Sequence, residues 1–187
     1  MILNKYTNYL IVDLEATCCD QNSIPRTEME TIEIGAVMVE ADGLTVIDEF
    51  TTFIKPVRHP QLTAFCTDLT SITQADVDAA PLYPEAVNTF KQWLYQYQDF
   101  VFCSWGDYDK KQLTQDSLFH REPFPIGAEH VNIKVLFSQT QGFKKRFGMD
   151  GALKRAGLAL DGTHHRGIDD ARNMARLMPY ITGRLSL

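Results

Sequence analysis

At 187 residues, the chain is the right size for one compact domain spanning 1–187, with a core that needs no disulfide or metal staple. Its 44% apolar and 22% charged residues exclude collagen-like, coiled-coil and disordered classes. No apolar run approaches the ~18 residues of a membrane span, and acids just behind the short apolar N-terminal segment argue against a secretion signal. A soluble, cytoplasmic protein is expected, with no membrane partner and no feature that marks an obligate protein partner. The net charge of −6 is unevenly spread: residues 1–143 carry 9 Lys/Arg against 20 Asp/Glu, and residues 144–187 carry 9 against 4. An acidic body can hold metal cations, and a basic C-terminal third can meet a polyanion.

In chain order, residues 9–14 form a short apolar run that reads as a buried first strand. Residues 30–39 and 45–54 read as two more strands, joined at Ala41-Asp42-Gly43, whose Asp-Gly step signals a hairpin. Residues 62–69 and 74–77 fit short helices. Pro84 opens a helix to Gln98, with Val87, Phe90, Trp93, Leu94 and Tyr97 at helical spacing. Residues 100–105 read as a fourth strand, and Gly106-Asp107 turns the chain into a helix reaching Leu118. Further helices are expected over 134–141, 149–156 and 168–180, with Gly142 and Gly157 as stop signals. A hairpin sheet followed by alternating strands and helices indicates a mixed α/β sandwich. Cys18, Cys19, Cys66 and Cys103 form no C-x-x-C pair and read as structural thiols.

Three places carry chemistry. In Val12-Asp13-Leu14-Glu15 the period of two puts Asp13 and Glu15 on one strand face, with Val12 and Leu14 on the other. Two neighbouring carboxylates at a buried strand end repel one another and lose solvation, a cost that a cation removes. Oxygen-only ligands suit Mg²⁺ or Mn²⁺. In Gly106-Asp107-Tyr108-Asp109, Asp107 fits a helix N-cap and Asp109 the first turn, with Leu113 anchoring the helix to the core; either acid can complement the helix dipole. In His164-His165-Arg166-Gly167-Ile168-Asp169-Asp170, the apolar positions Ile168, Ala171, Met174, Ala175 and Met178 start a helix near Gly167. That places Asp170 in its first turn and His165 in the preceding loop, where an imidazole can take a proton from water. Taken together, these acids and this histidine point to two-metal phosphoryl chemistry. The run Lys144-Lys145-Arg146 between Phe143 and Phe147 can track a phosphate backbone or form a solvated face. Glu33 can pair locally or face the site.

At these residues the chain resembles the DEDDh (DnaQ-like) 3′–5′ exonucleases, in particular their Eri-type exoribonuclease branch. The resemblance runs from YLIVDLEATCC through TIEIGAV, FCTDLTSIT, SWGDYDKKQL and GMDGALKRAGL to HHRGIDDARNMARL. It implies a ribonuclease-H-like α/β exonuclease fold: a mixed central sheet, its first strands antiparallel, flanked by helices. It assigns Asp13, Glu15, Asp109 and Asp170 to two Mg²⁺ ions, with Mn²⁺ as an alternative. On that resemblance Asp13 would bridge both ions, Glu15 and Asp170 would support the ion that activates water, and His165 would be the general base. Asp109 is preferred to Asp107 because it follows an aromatic residue and precedes Leu113 by four; His165 and Asp170 keep the family's four intervening residues. The implied reaction releases nucleoside 5′-monophosphates from single-stranded RNA 3′ ends. A DNA-directed 3′–5′ exonuclease and a silent RNA-binding module are the alternatives. Leu69, Thr70 and Phe65 correspond to the wall around the terminal nucleotide, with Phe65 equally readable as core, and Ser71 stands where the family commonly has glycine. No separate nucleic-acid-binding domain is expected.

Overall fold

A computed structural model describes residues 2–21 and 23–187. Strands β1 (Asn8–Ala16), β2 (Thr31–Glu40) and β3 (Val46–Phe53) make an antiparallel meander. Strands β4 (Phe100–Ser104) and β5 (His130–Asn132) extend it parallel to β1, giving a five-stranded sheet of order β3-β2-β1-β4-β5. The helices are α1 (Ala64–Thr70), α2 (Gln74–Asp78), α3 (Tyr83–Leu94), α4 (Tyr108–His120), α5 (Ile133–Thr140), α6 (Met149–Arg155) and α7 (Gly167–Ile181). This is the mixed sheet, antiparallel first, that the sequence pattern and motifs predict. No helix among the described residues is long and apolar enough to cross a membrane, and the four cysteines are free thiols.

Alternation along β1 divides the interior into two layers. Leu10, Val12 and Leu14 point into a core with α3 (Tyr83, Val87, Phe90) and Leu113 of α4. Tyr9 and Ile11 point the other way, into a core with α5, α6 and the buried stripe Ala171, Met174, Ala175, Met178 of α7. Because strand side chains repeat every second residue, Asp13 and Glu15 continue the Tyr9–Ile11 face towards the N-terminus of α7. The acids therefore lie where the apolar packing on that face runs out.

What brings α7 to this spot is a contact between two glycines. Asp13 pairs across the sheet with Gly35. A Cβ on Gly35 would lie 2.0 Å from the Gly167 carbonyl carbon and 2.1 Å from the Ile168 nitrogen, and one on Gly167 would lie 2.9 Å from the Asp13 carbonyl oxygen. Only bare backbone on both sides allows the helix start to rest directly on β2 and β1. Asp170 then falls beside the end of β1.

Three local readings differ from the structure. The α3 helix stops at Leu94 rather than Gln98; Gln96 and Tyr97 tighten into i→i+3 bonds to Trp93 and Leu94, because the chain must turn back to start β4. Tyr97 still packs, donating its phenol to Asp48. Strand β5 escapes the sequence pattern, since His130–Asn132 is too short to show alternation. Asp107 precedes α4 but makes no capping bond; its carboxylate instead accepts from Asn132 Nδ2 at 3.1 Å.

Candidate active site

β1 delivers Asp13 and Glu15 to the floor of a cleft of about 380 Å³, which is also lined by Asp109, Asp170, His164 and His165. One carboxylate oxygen from each of Asp13, Glu15 and Asp170 can be chosen so that all lie within 4.8 Å of one another. Asp109 enters from the first turn of α4, which is turned towards the cleft by Gly106 at φ +129°. Its Oδ1 accepts the Leu14 N–H at 3.1 Å. Asp107, the competing acid, is exposed and lines a separate surface depression with Lys110 and Lys111. Geometry therefore puts Asp109 in the cleft and Asp107 outside it.

The electrostatics of this cluster are unfavourable without a cation. Burial, then repulsion from Asp170 and Glu33, pushes Glu15 up to about 8. Burial raises Asp170 to about 6, partly offset by His164 and by the His165 N–H. Asp109 also rises to about 6, with burial outweighing the Leu14 hydrogen bond. Asp13 is pushed well above the usual carboxylate range by burial and by the charges of Asp109 and Glu15. Asp170 Oδ1 is buried with no hydrogen-bond partner among the described residues. An unpartnered buried oxygen beside a set of oxygen-only donors is what a hard divalent cation requires, so these residues fit one.

The histidines approach from the loop before α7. Their rings stack with centroids 4.0 Å apart. His164 Nε2 is 3.8 Å from Asp170 Oδ2, and the His165 backbone N–H donates to that same oxygen at 3.1 Å. His165 holds a left-handed φ of +62°, a conformation disfavoured for a side chain with a Cβ. Burial, and then the neighbouring His164, lowers its pKa, which favours the neutral imidazole.

Glu33, left open by the sequence, is resolved here. It is fully buried directly opposite Glu15 in the sheet. Its carboxylate accepts from Arg166 Nε (3.2 Å), Arg166 Nη2 (3.3 Å) and the Gly167 N–H (3.0 Å). It thus ties the histidine loop and the α7 N-terminus to β2.

Of the residues expected around the nucleotide, Leu69 lines the cleft. Phe65, one turn earlier on α1, is 38% exposed and is therefore not core. Thr70 is a correction: its side chain is fully buried, and its hydroxyl donates to the Cys66 carbonyl at 2.8 Å while accepting from the Ile72 N–H at 3.1 Å. That hydroxyl closes the end of α1 and is not presented to a ligand. Ser71 follows at φ +61°, which explains why glycine suits the position: the helix terminates through a left-handed residue. Sequence reasoning misses Arg26, Met29, Trp105, Tyr108 and Met149, all of which line the cleft. Trp105 and Tyr108 were within reach of inspection, as aromatics flanking Asp107 and Asp109. Arg26 and Met29 sit in a loop held by side chains distant in sequence, with Gln112 and Gln115 of α4 both donating to the Met29 carbonyl.

Comparison with known proteins agrees with this geometry. The family model described as Exonuclease (RNase T) matches residues 10–178. Mouse ERI1 exoribonuclease 3 is 29% identical over 189 residues, covering 96% of this chain and 55% of the relative. The probable 3′–5′ exonuclease KapD of Bacillus subtilis is 28% identical, covering 92% of this chain and 83% of KapD. The chain thus spans about half the length of the first of these relatives. Among solved structures, the nuclease domain of 3′hExo, a DEDDh family member bound to rAMP, superimposes with a TM-score of 0.82 at 27% identity, covering 96% of this chain and 91% of that domain. A match across nearly the whole chain, on a fold that gathers the four acids at one strand end, places this chain in the exonuclease family, in its DEDDh, Eri-type branch.

Proposed function

We propose that this chain is a metal-dependent 3′–5′ exoribonuclease that removes nucleoside 5′-monophosphates from single-stranded RNA. The observation that carries this reading is that Asp13, Glu15, Asp109, Asp170 and His165, drawn from three separate stretches of sequence, all line one cleft. The four carboxylates would hold two Mg²⁺ ions, or Mn²⁺; such a pair supplies activation of water and stabilisation of the leaving oxygen of a phosphodiester. His165 accepts a proton at its ring nitrogen from the attacking water, a role that suits an imidazole held neutral by burial. Glu33 and Arg166 orient that loop, while Leu69, and Phe65 on the same helix face, wall the terminal nucleotide. RNA rather than DNA is supported by the exoribonuclease relatives and by the rAMP bound to the 3′hExo domain.

The test uses a 5′-labelled single-stranded RNA and its DNA counterpart with Mg²⁺ or Mn²⁺. Stepwise shortening of the RNA from its 3′ end, with nucleoside 5′-monophosphates as product and no reaction in chelator, is expected. Absence of product with either ion rejects the nuclease reading in favour of an RNA-binding module, and faster DNA turnover reassigns the substrate. His165→Ala should lower kcat by about 10²–10⁴-fold while calorimetric Mn²⁺ affinity stays near the parental value. A collapse of affinity would instead make the histidine a ligand.

A further inference from the structure

We propose that the connection between α5 and α6, residues 141–148 together with Arg155, binds the nucleotides that precede the 3′ end of a single-stranded RNA. The inference rests on the exoribonuclease reading and extends it to a surface outside the carboxylate cleft.

Three observations converge on this surface. First, Lys144, Lys145, Arg146 and Arg155 are exposed, and none has a carboxylate within 4.0 Å among the described residues. They belong to the segment with 9 basic against 4 acidic residues, on a chain whose first 143 residues carry an excess of acids. A polyanion is repelled by most of this body and attracted here.

Second, the cations are interleaved with aromatic rings. Phe143 and Phe147 meet edge to face at 5.0 Å. The Arg155 guanidinium lies 4.1 Å from the Phe147 ring and 5.2 Å from Phe143, and Lys145 Nζ lies 5.4 Å from Phe147. Both rings remain partly exposed. Charge for phosphates beside planar faces for bases is the combination that single-stranded nucleic acid requires, and it is indifferent to sequence.

Third, the patch is joined to the cleft. Trp105 Nε1–H donates to the Phe147 carbonyl at 3.0 Å, and Trp105 and Met149 both line the cleft that holds the carboxylates. A strand whose last nucleotide sits over Asp13 can reach this loop along the wall that Trp105 and Met149 form. An acidic protein could satisfy the charge, but it would not account for the rings or for continuity with the cleft.

The test compares the parent with the triple variant Lys144→Ala/Lys145→Ala/Arg146→Ala and with Arg146→Ala alone, after matched melting curves show both folded. Two readouts are taken: kcat/KM on 2-, 6- and 12-nucleotide RNAs across a salt series, and binding of a fluorescent 12-nucleotide RNA in chelator, where no cleavage occurs. The parent should favour longer substrates. In the triple variant the 12- over 2-nucleotide preference should fall about tenfold, and the slope of log affinity against log salt should shrink by about 0.7 for each phosphate no longer neutralised. The single variant should show a smaller loss in the same direction. Binding in chelator should weaken in parallel. Parental binding, length preference and salt slope in the triple variant would overturn the proposal. Weakened binding by the variant of a protein that never cleaves would uphold this surface and reject only the nuclease reading.

Discussion

Replacing Asp13 with asparagine is expected to abolish turnover and to raise the melting temperature of the metal-free protein. The two effects have one cause. Without a cation, the folded chain keeps Glu15 protonated up to about pH 8 and Asp109 and Asp170 up to about 6, whereas in the unfolded chain these acids ionise near 4. Between those limits the folded state binds more protons than the unfolded state, so stability falls as pH rises through the window. Asp13, whose own ionisation is opposed by burial and by Asp109, Glu15, Asp170 and Glu33, is part of that penalty. The Asp13→Asn substitution removes the carboxyl group whose ionisation the fold opposes. In chelator, the stability advantage of the variant should therefore widen from pH 5 to pH 8, with about 2–4 °C in Tm for each kcal/mol of repulsion relieved in a chain of this size. Adding Mg²⁺ or Mn²⁺ should raise the parent's Tm more at pH 8 than at pH 5 and should do much less for the variant. The stabilisation that a divalent ion gives a developing phosphoryl charge amounts to several kcal/mol, so activity should drop by about 10³-fold or more. Near-parental turnover, or an Asp13→Asn protein less stable than the parent in chelator at pH 8, would remove Asp13 from the proposed site.

The strand that carries Asp13 and Glu15 was legible from sequence because alternation is a local property. Residues 9–14 fix which side chains share a face, and the structure puts the acids opposite Val12 and Leu14. The α7 stripe was legible for the same reason, its period of 3.6 matching the buried Ala171, Met174, Ala175 and Met178. The meeting of those two elements was not local. Nothing in the spacing of Asp13 and Asp170 reveals that Gly35 and Gly167 lie back to back; the family motifs supplied that convergence, and the glycine contact now gives its physical reason. Residues whose roles depend on long-range hydrogen bonds were read least well. Glu33 could not be assigned without knowing that Arg166 and the α7 N-terminus lie against it. Thr70 matches the family's nucleotide wall by motif alone, and the engagement of its hydroxyl by Cys66 and Ile72 is invisible in the sequence. Arg26 and Met29 escaped because they lie on and just after a single 3-10 turn, Arg26–Glu28, which is too short to show a period and is pinned from α4.

If the glycine contact is what assembles the site, one methyl group should dismantle it. In Gly35→Ala the new Cβ would meet the Gly167 carbonyl carbon at 2.0 Å, the Ile168 nitrogen at 2.1 Å and the Gly167 oxygen at 2.4 Å. These are backbone atoms of a helix start, so no rotamer change relieves the overlap; α7 must lift from the sheet or β2 must bend. Lifting α7 would strain the bonds from Glu33 to Arg166 and Gly167 and carry Asp170 and the His165 loop away from Asp13. Overpacking of this kind costs about 3 kcal/mol or more, which corresponds to a Tm lower by about 6–12 °C. Turnover should be lost at temperatures where the variant is still folded. Gly151→Ala is the matched control: its Cβ would make only an ordinary 3.6 Å contact with Phe147, within helix α6, where alanine is favoured over glycine by about 1 kcal/mol. It should leave activity intact and raise stability slightly. If Gly35→Ala melted and cleaved like the parent, the close approach of α7 to the sheet would not be what brings Asp170 to Asp13.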